Sequence, residues 1–208
     1  MSEPPSPAPE SKDAPAAGDA PTLHTIGQGA RSLDELISAL QAHRIEYLLD
    51  VRSSPYSKFK PEFSREALEA ALNARGLRYV FLGDTLGGQP RDPDCYTDGK
   101  VDYAKVRQQR FFQSGLERLR KAHAQRMRAA LMCSEGRPEQ CHRSKMIGEA
   151  LAAAGIPIHH IDEDGQLLTQ TQVMHRLSGG QLDLFGGPPL TSRKRYEPEH
   201  TGNSEHGR

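Results

Sequence analysis

Leu131-Met132-Cys133-Ser134-Glu135-Gly136-Arg137-Pro138-Glu139-Gln140-Cys141-His142-Arg143-Ser144 is the stretch on which the fold turns. The apolar run Ala129, Ala130, Leu131 and Met132 reads as a short buried strand that ends in Cys133, Ser134 and Glu135. A Gly/Pro turn follows. A helix is then expected to open near Cys141, with His142, Arg143 and Ser144 in or near its first turn. In open α/β sheets ligands sit outside the carboxyl ends of strands, where helix N-termini also point. The free N–H groups and dipole of such a helix favour an anion. Two thiols, a carboxylate, an imidazole, a guanidinium and a hydroxyl thus fall within one short segment, a density that points to chemistry.

Upstream, Leu23-His24-Thr25-Ile26 is a short β-rich run that enters the glycine turn Gly27-Gln28-Gly29. Ser32-Leu33-Asp34-Glu35 is a capping box, and Leu33, Leu36, Ile37 and Leu40 follow at helical spacing. Tyr47 to Val51 reads as a second buried strand. It places Asp50 and Arg52 at a carboxyl end, before a loop of hydroxyls, bases and aromatics that includes Ser53, Pro55, Tyr56, Lys58 and Phe59. Ser64 is expected to cap a helix with Ala67, Leu68, Ala71 and Leu72 inward, and Gly76 to stop it. A third strand follows at Arg78 to Leu82, then a long polar loop from Gly83 to Asp102 with Cys95 incidental within it. Tyr103 to Met127 reads as helix, broken near Gly115. Downstream, Ile147, Ala150, Leu151 and Ala154 form a helical stripe, Ile156 to Ile161 a strand, and Thr169 to Leu177 a last helix. Strands alternating with helices predict an α/β fold: three layers, a largely parallel sheet, and helices on both faces in a single domain over 22–177.

The 208 residues carry a formal net charge of zero, which suits one domain with tails. Residues 1–21 are rich in proline, without Leu, Ile, Val or Phe before Leu23, and are expected to be a disordered tail. No apolar run approaches the ~20 residues of a membrane span. Three cysteines, an odd number, argue against a disulfide scaffold and for a reducing, cytoplasmic setting. Between Lys105 and Arg128 the chain carries eight Lys and Arg residues against Glu117 alone, so a polyanionic partner is expected.

Thr25-Ile26-Gly27, Asp50-Val51-Arg52 with Pro55 and Ser57, Leu86-Gly87-Gly88, and Cys133-x-Glu135 with Cys141-His142-Arg143-Ser144 occur in this order. Taken together they resemble the domain-of-unknown-function family numbered 488, from about Thr22 to Asp162. Many relatives have His and Ser directly after Thr-Ile-Gly, where this chain has Gln28 and Gly29. Some archaeal relatives resemble DNA glycosylases that remove damaged pyrimidines such as 5-hydroxyuracil. The resemblance implies a base-excision enzyme that flips its target, holds it in a pocket and stabilises an oxocarbenium-like sugar. The catalytic candidates are Glu135 and Asp50 as carboxylates and His142 as donor to the departing base. Gly27, Gln28, Arg52, Ser53, Pro55, Tyr56, Lys58, Cys133, Arg143 and Ser144 are the substrate-binding candidates.

Gln181-Leu182-Asp183-Leu184-Phe185 lies between Ser178-Gly179-Gly180 and Gly186-Gly187-Pro188-Pro189. Gly and Pro on both sides predict a flexible tail over 178–208. The pentapeptide matches the pattern by which replication and repair proteins dock on the bacterial sliding clamp, so DNA and the clamp are the expected partners. Two other classes compete. Asp50-Val51-Arg52 after a strand also resembles rhodanese-like domains, which points to cysteine-dependent, rhodanese- or phosphatase-like chemistry on a small molecule; Glu135, two residues beyond Cys133, repels an anion there. A non-enzymatic clamp-bound adaptor is the other. Cys133, Cys141 and His142 offer three zinc or iron ligands, but the seven-residue gap and the adjacent Cys-His match no standard finger, and neither metal nor cofactor is expected.

Overall fold

The computed structural model describes residues 23–180 and 190–196. The N-terminal tail 1–21 and the pentapeptide 181–185 lie outside the described residues. Six strands form the main sheet: β1 (Leu23–Gly27), β2 (Tyr47–Asp50), β3 (Arg78–Phe81), β6 (Ala129–Cys133), β7 (Ile158–Ile161) and β8 (Leu167–Thr169). Their spatial order is β3-β2-β6-β1-β7-β8, and every pair is parallel except β7 with β8. β4 (Tyr96–Thr97) and β5 (Lys100–Val101) form a separate antiparallel hairpin.

Helices cover both faces, as the alternation of strand and helix predicts. α1 (Leu33–Ala42) starts on the expected capping box: the Ser32 side chain accepts from the Glu35 N–H, and the Glu35 carboxylate accepts from the Ser32 N–H. α1 and α2 (Arg65–Ala74) send Leu36, Ile37, Leu40, Leu68 and Leu72 onto one face of the sheet, against Ile26, Leu48, Ala130 and Met132. Ala67 is exposed, so the apolar stripe of α2 is narrower than its sequence predicts. α3 (Gly83–Leu86), α4 (Tyr103–Gln108), α5 (Arg110–Ala124) and α6 (Glu149–Ala153) cover the other face, against Leu49, Val51, Leu131 and Cys133. α7 (Gln170–Leu177) follows β8 and opens on a second capping box at Thr169. Strand side chains alternate in direction, so Ala130 and Met132 point to one layer and Leu131 and Cys133 to the other.

Several boundaries differ from expectation. The helical run after Asp102 breaks at Gln109, which is extended (φ −74°, ψ 143°). Gly115 lies inside α5, where a Cβ would come within 2.7 Å of the Leu86 side chain; it marks close packing of α5 on α3. The region 83–102 is structured rather than a loop, with α3, the β4–β5 hairpin, and Cys95 fully buried in the core. The hairpin turns on Asp98 (φ 50°) and Gly99 (φ 71°), the left-handed pair that a two-residue turn of matching twist requires. The helix after the central stretch opens as a π-helical turn over Arg143–Gly148 before α6. Leu151 is buried and Ala154 is exposed.

The tail 178–208 also departs from expectation, because residues 190–196 pack against the domain. Thr191 bridges to Asp102. The Ser192 N–H donates to the Val101 carbonyl and the Tyr196 N–H to the Gly99 carbonyl. The Lys145 ammonium donates to the Thr191 carbonyl (3.0 Å). No described helix is long and apolar enough to cross a membrane.

Candidate functional site

The carboxyl ends of β2 and β6 meet the turn that carries Cys141 and His142, and a cleft of about 190 Å³ opens there. Arg52, Ser53 and Ser54 line it from β2, and Cys133, Ser134 and Glu135 from β6. Gln140, Cys141 and His142 come from the following turn, Gly88, Gln89 and Tyr103 from the 83–103 region, and Ser192, Arg193, Lys194 and Tyr196 from the C-terminal strap. Such a volume suits one ring rather than a drug-sized ligand. A hollow of about 490 Å³ adjoins it across Ser53 and Gln89.

The floor is sulfur and imidazole. Cys133 Sγ and Cys141 Sγ each lie 3.6 Å from His142 Nδ1. His142 Nε2 lies 3.0 Å from the Val51 carbonyl, which only accepts, so Nε2 carries the proton and Nδ1 faces the two sulfurs with its lone pair. The Cys133 thiol is held well below its usual range because the Cys141 S–H donates to it, with the Arg143 charge adding to this against the cost of burial. Burial pushes the Cys141 thiol well up, and the charge on Cys133 adds to the rise. His142 therefore has both nitrogens engaged, and its ring is 6% exposed; it is poorly placed to hand a proton to a departing base.

Glu135 is the carboxylate at the cleft wall. Its oxygens accept from the Arg193 guanidinium at 3.1 and 3.2 Å, and its side chain keeps a third of its surface accessible. Asp50, expected beside it, is fully buried beneath Arg52 and does not line the cleft. Its Oδ1 accepts from Arg52 Nε (2.9 Å) and its Oδ2 from Arg52 Nη2 (2.6 Å) and the Tyr79 hydroxyl (2.8 Å). Burial and the neighbouring Asp50 charge raise the Tyr79 hydroxyl above its usual range, so it stays a donor. The place of Asp50 is to fix the Arg52 fork at the cleft edge.

Other expected substrate contacts turn inward. Arg143 is fully buried and donates to the Glu135 and Gly136 carbonyls. The Ser144 hydroxyl donates to the Pro138 and Cys141 carbonyls. These two residues hold the backbone of the Glu135 turn. The glycine turn is similarly occupied: the Gln28 N–H donates to the Cys133 carbonyl (2.8 Å) and the Gly29 N–H to Ser134 (3.0 Å), so neither is free for a phosphate. Gly27 is required by close approach, since a Cβ there would lie 2.2 Å from the Glu135 carbonyl. Ser53 lines the cleft and accepts from the Gln89 N–H. Pro55, Tyr56 and Lys58 lie outside the cleft, with Tyr56 71% exposed on the surface loop.

Sequence reasoning missed Tyr103, Gln89 and Ser192. The only advance signal for the strap was the basic run Arg193-Lys194-Arg195. Burial pushes the Tyr103 hydroxyl up, with Cys141 next in effect, so it too stays protonated.

No curated protein matches the chain, and no solved structure does. The family model described as Domain of unknown function DUF488 matches residues 32–151, over half of the chain. The match runs from the cap of α1 into α6 and includes Asp50-Val51-Arg52, Leu86-Gly87-Gly88 and the whole segment from Cys133 to Ser144. The chain belongs to the DUF488 family.

Proposed function

We propose that the protein is a hydrolase acting on DNA, a base-excision glycosylase that releases a damaged pyrimidine, with Glu135 as its catalytic carboxylate. The observation that carries this reading is that Glu135 is the one carboxylate among the described residues lining the cleft, with Arg52, Arg193 and Lys194 around it. Breaking an N-glycosidic bond leaves positive charge on the sugar and negative charge on the base. Glu135 offsets the first and takes the proton of the water that attacks C1′. The cationic wall offsets the second, and the base anion is protonated from solvent. At rest Glu135 is paired with Arg193. A substrate phosphate competes for Arg193 and frees the carboxylate as it binds, so release of this general base is tied to seating of the DNA. Docking of 181–185 on the sliding clamp would raise the local concentration of DNA.

The test is base release from duplexes carrying 5-hydroxyuracil or other oxidised and deaminated pyrimidines. Wild-type protein is expected to leave abasic sites and Glu135→Gln to leave none. Failure of the wild type to release any base on such a panel overturns the reading. A second reading, thiol chemistry on a small anion, is favoured by the two sulfurs on the cleft floor. Activity that survives Glu135→Gln and disappears in Cys133→Ser would put it first.

A further inference from the structure

Cys133, Cys141 and His142 do more than line a floor. Their donor atoms, two Sγ and one Nδ1, all lie within 4.8 Å of one another, and all three residues are buried. Each sulfur stands 3.6 Å from Nδ1. A tetrahedral zinc ion with Zn–S of about 2.3 Å and Zn–N of about 2.0–2.1 Å has S···N edges of about 3.6 Å. The two sulfur–nitrogen edges thus already have the lengths of a zinc tetrahedron.

We propose that Cys133, Cys141 and His142 bind one zinc(II) ion whose fourth position opens into the cleft. Four observations support it besides the spacing. His142 Nε2 donates to the Val51 carbonyl, the outer hydrogen bond that fixes a metal-bound imidazole in its tautomer and orientation. The Arg143 backbone N–H points to Cys141 Sγ at 3.5 Å, where it stabilises a thiolate. Gly88 leaves the flank of the ring clear, since a Cβ there would lie 2.7 Å from Nδ1. The donor set itself is soft to borderline, two sulfurs and a nitrogen, which suits zinc and not the oxygen-seeking magnesium or calcium.

Charge and access agree. Binding releases the proton shared by the two sulfurs to solvent, and the two thiolates then cancel the dipositive charge, so the loaded site is itself neutral beside the buried Arg143. Three protein ligands with an open fourth position is the arrangement of a catalytic zinc, which binds water there and makes it acidic. The ligands share their cleft with Ser134, Glu135 and Gln140, so that water would face the carboxylate. The seven residues between Cys133 and Cys141 fit no finger because the site is closed by the sheet: β6 supplies one ligand and the turn folding back over β2 the other two. The ion is inferred from its ligands and does not depend on which bond is cut.

The test uses the full chain purified from zinc-supplemented cells, with metal measured by mass spectrometry of the elements. One zinc per chain is expected, falling towards zero in Cys133→Ser and in His142→Ala and staying at one in Cys95→Ala. A core substitution can unfold the chain, so the wild type provides an independent arm. Removal of zinc by a chelator and addition of cobalt(II) should give the visible bands of tetrahedral cobalt and a near-ultraviolet sulfur-to-cobalt charge-transfer band. Zinc or cobalt uptake well below one per chain, a cobalt spectrum without the sulfur band, or a Cys133–Cys141 disulfide in freshly purified protein overturns the proposal. Zinc bound at one per chain without base release keeps the metal and removes the glycosylase reading. Base release at full rate by zinc-free wild type leaves the glycosylase reading and overturns an open, catalytic coordination position.

Discussion

Asp50 sits at a strand end, where reactive groups gather, yet its charge is satisfied entirely within the protein by Arg52 and Tyr79. Asp50→Asn leaves the Arg52 guanidinium buried without a counter-ion. Loss of one partner of a buried pair costs about 3–5 kcal/mol, and denaturant titration is expected to show it as a lower midpoint. His160 gives a pH-dependent counterpart. Burial lowers its pKa to about 3, and it stays neutral between the Thr25 hydroxyl and the Gln170 side chain. An unfolded histidine protonates near pH 6.5, and the folded one does so only near pH 3. The stabilising effect of the neutral ring is therefore complete above about pH 6.5 and is lost as pH falls towards 3, at up to ~1.4 kcal/mol per pH unit. His160→Asn is expected to flatten the acid limb of a stability–pH curve measured by thermal melts; an unchanged slope would assign that limb to other groups. Gly27→Ala tests the close approach at β1. The added methyl displaces the Glu135–Gly136 carbonyls, so the melting temperature and base release should fall together.

At the scale of elements, the C-terminal strap decides whether the cleft has a closed wall. The Ser192 hydroxyl is one of its ties: it accepts from the Val101 N–H (3.0 Å) and donates to the Lys194 carbonyl within the strap (2.7 Å). Ser192→Ala leaves both groups short of a partner, a loss of about 1–3 kcal/mol for each that is buried. Faster hydrogen exchange over 190–196 and over the β4–β5 hairpin is the expected readout, with β1 and β6 unchanged. Local signals wrote α1 and α7 plainly, because a capping box and an apolar stripe lie within a few residues of each other. Asp98-Gly99 also carries a hairpin signal, but only two residues pair on each side, too few to show alternation. The π-helical turn at Arg143–Gly148 has no such signature. It follows from inward packing of Met146 and Ile147 together with burial of Arg143 and Ser144, which depends on the rest of the fold.

Across the whole molecule, the zero net charge conceals a basic side. Arg110, Arg118, Arg120 and Lys121 are exposed on α5, where only Glu117 answers them, through Arg120. Were the proposed DNA to lie along this side, log-affinity would fall with log salt at about 0.9 per phosphate contact. Reversing Arg118 and Lys121 to Glu is expected to reduce that slope by roughly two contacts' worth and to weaken binding to all sequences alike. An unchanged slope would remove α5 from the proposed DNA contact. The loop after β2 leaves Phe59 93% exposed and Tyr56 71% exposed, both outside the cleft.

By itself the chain determined the class of fold and the parallel sheet, and placed the start of the segment from Leu131 to Ser144 on a buried strand. Periodicity, caps and turn residues act over a few positions and are readable without a partner. Which members of that segment face a cavity was decided only in three dimensions. Arg143 and Ser144 look like anion binders in sequence, yet their nearest acceptors in space are backbone carbonyls, and they turn inward. Cys133 and Cys141 are separated by a turn that hides their relation until β6 and the end of β2 bring both sulfurs to one imidazole. The strap came to the cleft through hydrogen bonds to a hairpin some ninety residues away, the kind of long-range pairing that no local pattern records.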